Sequence, residues 1–192
     1  MNRHLRQVAL VTALALLCCR AAPSQPAGNG AWDGWQMLEG KWVGEGTSEL
    51  GRGSGYFSFE PDLLGKAWVR RNHSEYPGVN GQPASVHEDL MIVYIESANG
   101  RTRAFYTDTE GHSIHYSVTH SADRKTVTFL GDVQSGQATY RLTYVSLAPG
   151  RLSVVLEMAP PDAPGRFKRI VEGTVRRTCD ARASWRRRWR FG

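Results

Sequence analysis

Most side chains that could carry chemistry lie in one stretch of the chain, residues 85–119. The stretch has three extended runs separated by short turns at residues 98–100 and 110–111, which is the pattern of a β-meander. Its polar members are His87, Glu88, Asp89, Tyr94, Tyr106, Asp108, His112, His115 and Tyr116. Histidine beside carboxylates can bind a metal, move a proton or hold a polar ligand, so three kinds of site have to be weighed.

The spacing of these residues argues against a metal site. His112 and His115 are an odd number of residues apart, so on one regular strand their side chains point to opposite faces. His87 and Asp89 share a face, but two ligands fall short of the three or four that zinc requires. A third ligand would have to come from a distant part of the chain. We therefore predict no metal ligands.

General acid–base catalysis is the second kind of site. Asp89, Asp108 or Glu75 could orient His87, and Tyr106 could polarise a carbonyl. The sequence carries no nucleophile elbow, paired-carboxylate motif or phosphate-binding loop. These polar groups could equally satisfy one another in a buried network that holds the strand register. We predict no catalytic residue and keep an enzyme that uses His87 with a nearby carboxylate as an alternative.

Ligand binding is the interpretation that we favour. Arg70 and Asn72 share one face of their strand, Arg71 and His73 share the other, and the sequence does not decide which pair faces inward. The predicted ligand-binding residues are Arg70, Asn72, His87, Asp89, Tyr106, Tyr116 and Lys168. Because a lone buried charge is costly, an Arg and a Lys inside a barrel need counter-charges or an anionic ligand. A small carboxylate-bearing or aromatic molecule fits that need, and salt bridges to Glu75, Asp89 or Glu172 are the alternative.

The elements that must position these residues are short strands. Nine or ten extended runs follow one another at steady spacing, with turn residues such as Asn80-Gly81 and Pro149-Gly150 between them. Alternation along residues 140–144 and 152–158 places apolar side chains on one face of each run. Residues 33–38 suit one short helical turn. The pattern predicts an all-β antiparallel barrel or sandwich.

The N-terminal segment has the layout of a secretory signal peptide. Arg3 and Arg6 precede an apolar run over residues 8–17, and small residues follow at Ala21 and Ala22. About ten apolar residues are too few to span a bilayer. We therefore expect export to the periplasm or the medium. The predicted division of the chain is a signal peptide at 1–22, a flexible linker at 23–35, the barrel at 36–178 and a basic tail at 179–192.

The positions of the three cysteines are consistent with a signal peptide. Lipid attachment at Cys18 or Cys19 is less favoured, because Leu16 and Leu17 stand where a lipoprotein signal carries small residues. Once the signal is removed only Cys179 remains, so no intramolecular disulfide can form.

The net charge of +6 belongs to the two ends of the chain. Of the 24 basic residues, three lie in the signal and seven lie between Arg176 and Arg190, which leaves 14 against 17 acidic residues in the central part. The mildly acidic barrel is not expected to bind nucleic acid. Trp185, Trp189 and Phe191 accompany the tail arginines, yet so short a segment cannot fold alone, and we expect a solvated tail without membrane contact.

Several motifs occur together in order: LEGKWVGEGTSE, FSFEPDLLGKAWVRRNHSEYPG, VHEDLMIVY, FYTDTEGHSIHYSV and FKRIVEGTVRR. They resemble an uncharacterised bacterial family of lipocalin-like (calycin) domains that is distantly similar to nitrobindins and fatty-acid-binding proteins. The resemblance implies a single antiparallel barrel in which Trp42, on the first strand, plugs one end and Arg176 or Arg177 covers it. His87 occupies a place similar to that of a pocket histidine of nitrobindins.

The resemblance also bears on haem. Nitrobindins bind haem through a His shortly before a Lys near the last strands, but the matching stretch, residues 163–168, contains Arg166 and Phe167 there. No haem or other cofactor is predicted. We therefore expect an exported lipocalin-like barrel that binds a small, partly polar or anionic ligand, with its oligomeric state open. The other alternative is a structural envelope protein whose barrel is filled by its own side chains.

Overall fold

The computed structural model describes residues 30–45, 54–78 and 83–178. Ten antiparallel strands form one closed barrel in the order β1-β10-β9-β8-β7-β6-β5-β4-β3-β2. The strands are β1 (Gly40–Glu45), β2 (Ser54–Asp62), β3 (Ala67–Tyr76), β4 (Ser85–Ile95), β5 (Thr102–Asp108), β6 (Ser113–His120), β7 (Thr126–Gly131), β8 (Thr139–Ala148), β9 (Arg151–Ala159) and β10 (Lys168–Arg177). Short 3-10 turns cover Gly30–Trp32, Trp35–Met37 and Leu63–Gly65. The prediction of an all-β antiparallel barrel of nine or ten strands with a short N-terminal helical turn is confirmed.

The predicted signal peptide, the basic tail and Cys179 lie outside the described residues. Among the residues that are described, no helix is long and apolar enough to cross a membrane.

The barrel closes where β1 pairs with β10, with Trp42 opposite Arg177. Closure gives every strand two hydrogen-bonded neighbours, which removes the sheet edges that would otherwise invite aggregation. Of the two arginines that end β10, it is Arg177 that lies over the Trp42 ring.

Side-chain alternation decides which face of each strand points inward. On β2, Phe57 and Phe59 are buried, while Tyr56, directly before them, is exposed. On β7, Val127 and Phe129 are buried and Leu130 is exposed. This period of two is the geometry of a pleated strand with one buried face, and it gathers the apolar side chains into one core.

One end of the barrel is closed by tryptophans. Trp35, Leu38 and Trp42 are fully buried, and the Trp42 indole Nε1 donates a hydrogen bond to the Leu38 carbonyl at 2.7 Å. The Trp35 ring packs against the rings of Trp68 and Phe129, with centroids 5.8 and 6.1 Å away. The packed unit therefore begins inside the segment 23–35 that sequence analysis assigns to a linker, because Trp35 is part of the core.

The opposite end of the barrel is polar. There the inward faces of β3, β4 and β5 carry charged and hydroxyl-bearing side chains instead of apolar ones. Asn72 on β3 pairs in register with Asp89 on β4, and Asp89 pairs with Asp108 on β5. Three polar side chains thus stand in one row at this end, which we call the mouth.

Candidate functional site

The candidate site lies inside the mouth, on β3, β4, β5 and the turn after β5. We call its members the mouth cluster, namely Arg70, His87, Asp89, Tyr106, Asp108 and Glu110. The strand register brings them together, because residues that are paired on neighbouring strands point to the same side of the sheet.

Arg70 is a buried member of the mouth cluster, at 8% exposed. Its guanidinium forms an ion pair with the carboxylate of Asp89 and stacks over the Phe57 ring, 5.4 Å from the centroid. Burial by itself lowers the pKa of Arg70, but neighbouring Tyr144 and Asp89 outweigh burial and raise it. The side chain is therefore a permanent cation. Its Nε atom has no hydrogen-bond partner among the described residues.

His87 lies between two carboxylates. Its Nε2 is 3.3 Å from Asp89 Oδ2, and its Nδ1 is 2.8 Å from Glu110 Oε2. A neutral imidazole carries only one N–H, so it can donate to only one of these two acceptors. The second of the two contacts therefore lacks a donor N–H when the ring is neutral.

Asp108 is held in place by four donors. Its Oδ2 accepts from the Tyr106 hydroxyl at 3.0 Å and contacts His112 Nδ1 at 2.8 Å. Its Oδ1 accepts the backbone N–H groups of Glu110 and His112 at 3.1 and 2.9 Å. Burial alone raises the pKa of Asp108, but the hydrogen bonds from His112 and Tyr106 outweigh burial and lower it. Asp108 is therefore an oriented, ionised carboxylate at neutral pH.

Three tyrosines surround Arg70 from the other strands. Burial is the main cause that raises the pKa values of Tyr106, Tyr116 and Tyr144, so all three hydroxyls stay protonated near neutral pH. The Tyr144 ring packs edge-on to Phe129, with centroids 6.0 Å apart. The Tyr144 hydroxyl is fully buried and faces the Arg70 guanidinium, yet no contact that it makes within the described part of the chain meets ordinary hydrogen-bond geometry.

The structure places six of the seven predicted ligand-binding residues on the inward face. Arg70, Asn72, His87, Asp89, Tyr106 and Tyr116 all belong to that face. Asn72 donates to the Ser74 hydroxyl at 3.3 Å. The seventh, Lys168, is exposed at the start of β10, three strands away from β3 around the barrel. The structure therefore does not bring Lys168 to the mouth cluster.

The side chains at the alternate positions of β3, between the inward-facing residues, point outward. Arg71 is exposed, and His73 lies on the outer wall between Glu75 and Glu88, with nitrogen-to-oxygen distances of 3.0 and 2.9 Å. Hydrogen bonds that the His73 ring donates to Glu75 and then to Glu88 raise the pKa of His73. This arrangement resembles that of His87, and the two side chains are about equally exposed, at 29% and 28%, but His73 lies on the outer wall.

Two shallow depressions of about 360 and 400 Å³ also lie on the outer wall. The first is lined by outward side chains of β2 to β5, including Tyr56, Arg71 and His73. The second is lined by Glu75, Val86 and their neighbours. The first depression also touches Asp89 and Asp108 and therefore borders the mouth cluster, whereas the second contains no member of it.

Sequence reasoning missed two contributors to the site. Glu110 lies in a turn, where strand alternation gives no information about direction. Tyr144 was grouped with Tyr140 and Leu142 as one apolar face, and nothing in that pattern shows that its hydroxyl would lack a partner. The pairing of a buried Arg with several inward tyrosines is the signal that could have identified it.

Comparison with known proteins adds no relative. The chain matches no protein-family model and no curated protein. The lipocalin-like relationship therefore stays a prediction from the sequence motifs, and what the site can do has to be argued from its geometry.

Proposed function

We propose that the protein is an exported barrel that binds a small, partly polar ligand in the mouth half of its interior. The ligand presents an acceptor oxygen, such as that of a carboxylic acid, a ketone or a phenol, to Arg70 Nε and Tyr144 Oη. A flat apolar portion packs against the surrounding aromatic rings. No catalytic step is part of the proposal.

The observation that carries this proposal is a pair of buried polar atoms left without partners. Both Arg70 Nε and Tyr144 Oη are shielded from solvent by the barrel wall. Leaving a buried donor unsatisfied costs about 1–3 kcal/mol, so native structures normally pair such groups with protein, water or ligand. A ligand oxygen near these two atoms would recover that free energy.

The accessibility of the interior supports the mouth half as the place of binding. The closed half is filled by Trp35, Trp42, Phe59 and Phe129, which are fully buried. On the mouth side, inward residues such as Tyr106 are only partly buried. A ligand entering through the mouth therefore meets accessible aromatic surface before it reaches Arg70.

The charges of the mouth cluster restrict the ligand. Asp89 already neutralises Arg70, and Asp108 and Glu110 add two further negative charges nearby. A strongly anionic ligand would be repelled by these carboxylates. The geometry therefore favours a neutral or weakly acidic ligand with one good acceptor over the fully anionic ligand that the sequence also allows.

A thermal-shift screen tests the proposal. The main probe is acetophenone, a neutral acceptor, with benzoate, 4-hydroxybenzoate and octanoate as anionic comparisons that should bind more weakly and protoporphyrin as a bulky comparison. A probe at one hundred times its dissociation constant stabilises the folded state by about 2.7 kcal/mol. We expect at least one small aromatic acceptor to raise the midpoint. If none does, the proposal fails, and water is the simplest partner for the two atoms.

A conservative pair of variants locates any binding that is found. Tyr144→Phe removes the inward hydroxyl and keeps the ring, whereas Tyr56→Phe removes a hydroxyl on the outer wall. We expect about a tenfold loss of affinity from Tyr144→Phe, because one hydrogen bond contributes roughly 0.5–1.5 kcal/mol. Tyr56→Phe should leave affinity unchanged. Equal effects of the two variants would place the ligand elsewhere.

Export is proposed from residues 1–22 alone. The mass of the mature protein, recovered from the periplasm or the medium of expressing bacteria, tests it. Loss of about the first 22 residues supports export, and a full-length protein confined to the cytoplasm contradicts it.

A further inference from the structure

A second kind of site is formed at the rim of the mouth, beyond the proposed ligand binding. His87, Asp108 and Glu110 each offer one metal-ligating atom, and these three atoms lie within 4.8 Å of one another. Sequence spacing alone supplied only His87 and Asp89. The additional residues are Asp108, at the end of β5, and Glu110, in the turn after it. This turn lies beside β4 in the folded barrel.

The donor set suits a divalent transition-metal ion. One imidazole nitrogen and two carboxylate oxygens are ligands that Zn²⁺ accepts, at bond lengths of about 2.0–2.2 Å. Such bonds place neighbouring ligand atoms of a tetrahedral ion roughly 3.3 Å apart. An ion between His87 Nδ1 and Glu110 Oε2 would widen their present distance of 2.8 Å, and the partly exposed Glu110 side chain has room for that adjustment.

The residues behind the ligands orient them as outer partners do in metal sites. Asp89 Oδ2 approaches His87 Nε2 at 3.3 Å, which leaves Nδ1 directed at the proposed ion, and Arg70 in turn holds Asp89. A carboxylate behind the ligating imidazole fixes the ring and raises its basicity. Asp108 is held by the donors described above, so two of the three ligands are already positioned.

The charges of the mouth cluster also favour a bound cation. Arg70 supplies one positive charge against the three carboxylates of Asp89, Asp108 and Glu110. The His87 ring faces a carboxylate at each nitrogen, and a neutral ring satisfies only one. A metal ion on Nδ1 would let Nε2 donate its proton to Asp89 and would balance the carboxylate charge.

We propose that His87 Nδ1, Asp108 and Glu110 form a three-ligand site for a divalent transition-metal ion, with Zn²⁺ as the reference ion, at the rim of the barrel mouth.

The experiment uses untagged full-length protein that has been dialysed against a chelator. Zn²⁺ binding is measured by calorimetry with a competing chelator, and Co²⁺ serves as a spectroscopic probe of coordination. We expect one equivalent of Zn²⁺ to bind, with an affinity that falls in acid, because protons compete with the metal for its ligands. Ring nitrogen chemical shifts should change at His87 Nδ1 on binding.

Matched variants identify the ligands. His87→Gln and Glu110→Gln should each lower Zn²⁺ affinity by about 100-fold or more, since even outer partners of metal ligands cost about 10–100-fold. His73→Gln is the control, because His73 also lies between two carboxylates but on the outer wall. Glu110 is exposed, so its variant keeps the test decisive if His87→Gln fails to fold.

Three results would overturn the site. The first is the absence of saturable binding near one equivalent. The second is unchanged affinity in Glu110→Gln. The third is an equal loss in His73→Gln, which would show nonspecific binding to surface histidines. Because the readout is the metal itself, failure of this site leaves the proposed binding of an organic ligand at Arg70 and Tyr144 untouched, and the reverse also holds.

Discussion

Arg177 lies over the indole ring of Trp42, with its guanidinium carbon 4.8 Å from the ring centroid. The same guanidinium donates to the backbone carbonyls of Met37 and Gln36, at 3.0 and 3.3 Å. One side chain thus joins the last strand, the first strand and the turn that precedes it.

Replacing Arg177 should therefore destabilise the barrel. Arg177→Met removes a cation–π contact of about 0.5–1 kcal/mol and charge-assisted hydrogen bonds to two carbonyls. We expect a loss of about 1–2 kcal/mol in the free energy of unfolding, measured by chemical denaturation. Arg176→Met is the control and should change stability by less than about 0.5 kcal/mol, because exposed surface substitutions generally do. Equal losses in both variants would contradict this role of Arg177.

The ion pair between Arg70 and Asp89 should be costly to break on one side. Asp89→Asn leaves a buried guanidinium without its counter-charge, and we expect a loss of about 3–5 kcal/mol. Asp132→Asn breaks a more exposed pair, with Arg103, and should cost less than about 1 kcal/mol. Urea denaturation of both variants measures the difference. Similar costs would show that Arg70 is solvated in the native state.

His120 should make the closed end sensitive to acid. Its ring is 5.3 Å from that of Trp35, and neither ring nitrogen has a hydrogen-bond partner within the described ranges. Burial, followed by the charge of Arg124, lowers the pKa of His120. The unfolded state therefore takes up a proton first as the pH falls through about 6.5, and the folded state loses stability there.

The pH dependence of stability checks this prediction. His120→Phe should reduce the loss of stability between about pH 7 and pH 5 relative to the unsubstituted protein. His73→Gln should act in the opposite sense, because the pKa of His73 is raised and its contribution is present only below the folded-state pKa. If the two variants shift the pH profile in the same direction, the assignment to His120 is wrong.

Replacing Leu64 should increase the stability of the protein. It is fully exposed in the turn between β2 and β3, and its φ of 56° lies in the left-handed region that disfavours leucine. Leu64→Asn should raise the free energy of unfolding by roughly 0.5–1 kcal/mol, since asparagine tolerates this conformation.

Leu147→Asn is the matched comparison for that gain. Leu147 is also an exposed leucine, but it lies in β8 and is not among the residues with positive φ. Asparagine is unfavourable in strands, so this variant should be neutral or slightly destabilising in thermal denaturation. A gain of similar size at Leu147 would show that reduced surface hydrophobicity, not backbone relief, is the cause.

The barrel could be predicted because alternation and turn residues repeat along most of the chain. Residues such as Phe57 and Phe59 have an unambiguous period of two, and a single closed sheet is the arrangement that buries every such face. Trp35 could not be placed in the same way. It stands in a short stretch rich in glycine and polar residues, where no periodicity points toward the core.

The site was predictable only in part, for a related reason. Both faces of β3 carry charged side chains, so the choice of the inward face depends on tertiary packing. Trp68 points inward, and Arg70, two residues later on the same strand, therefore points inward as well. The approach of Glu110 to His87 depends on how a turn folds back over a neighbouring strand. Local sequence patterns carry no information on that contact.

The closed end has one further consequence. The backbone N–H of Thr178 donates to the Lys41 carbonyl at 2.8 Å, and the Arg124 guanidinium reaches the carbonyl of Asp33. The described chain therefore starts and finishes on the same side of the barrel, opposite the mouth. A bead, fusion partner or tether joined to the described chain at either end would lie on the side away from the mouth and leave the mouth facing bulk solution.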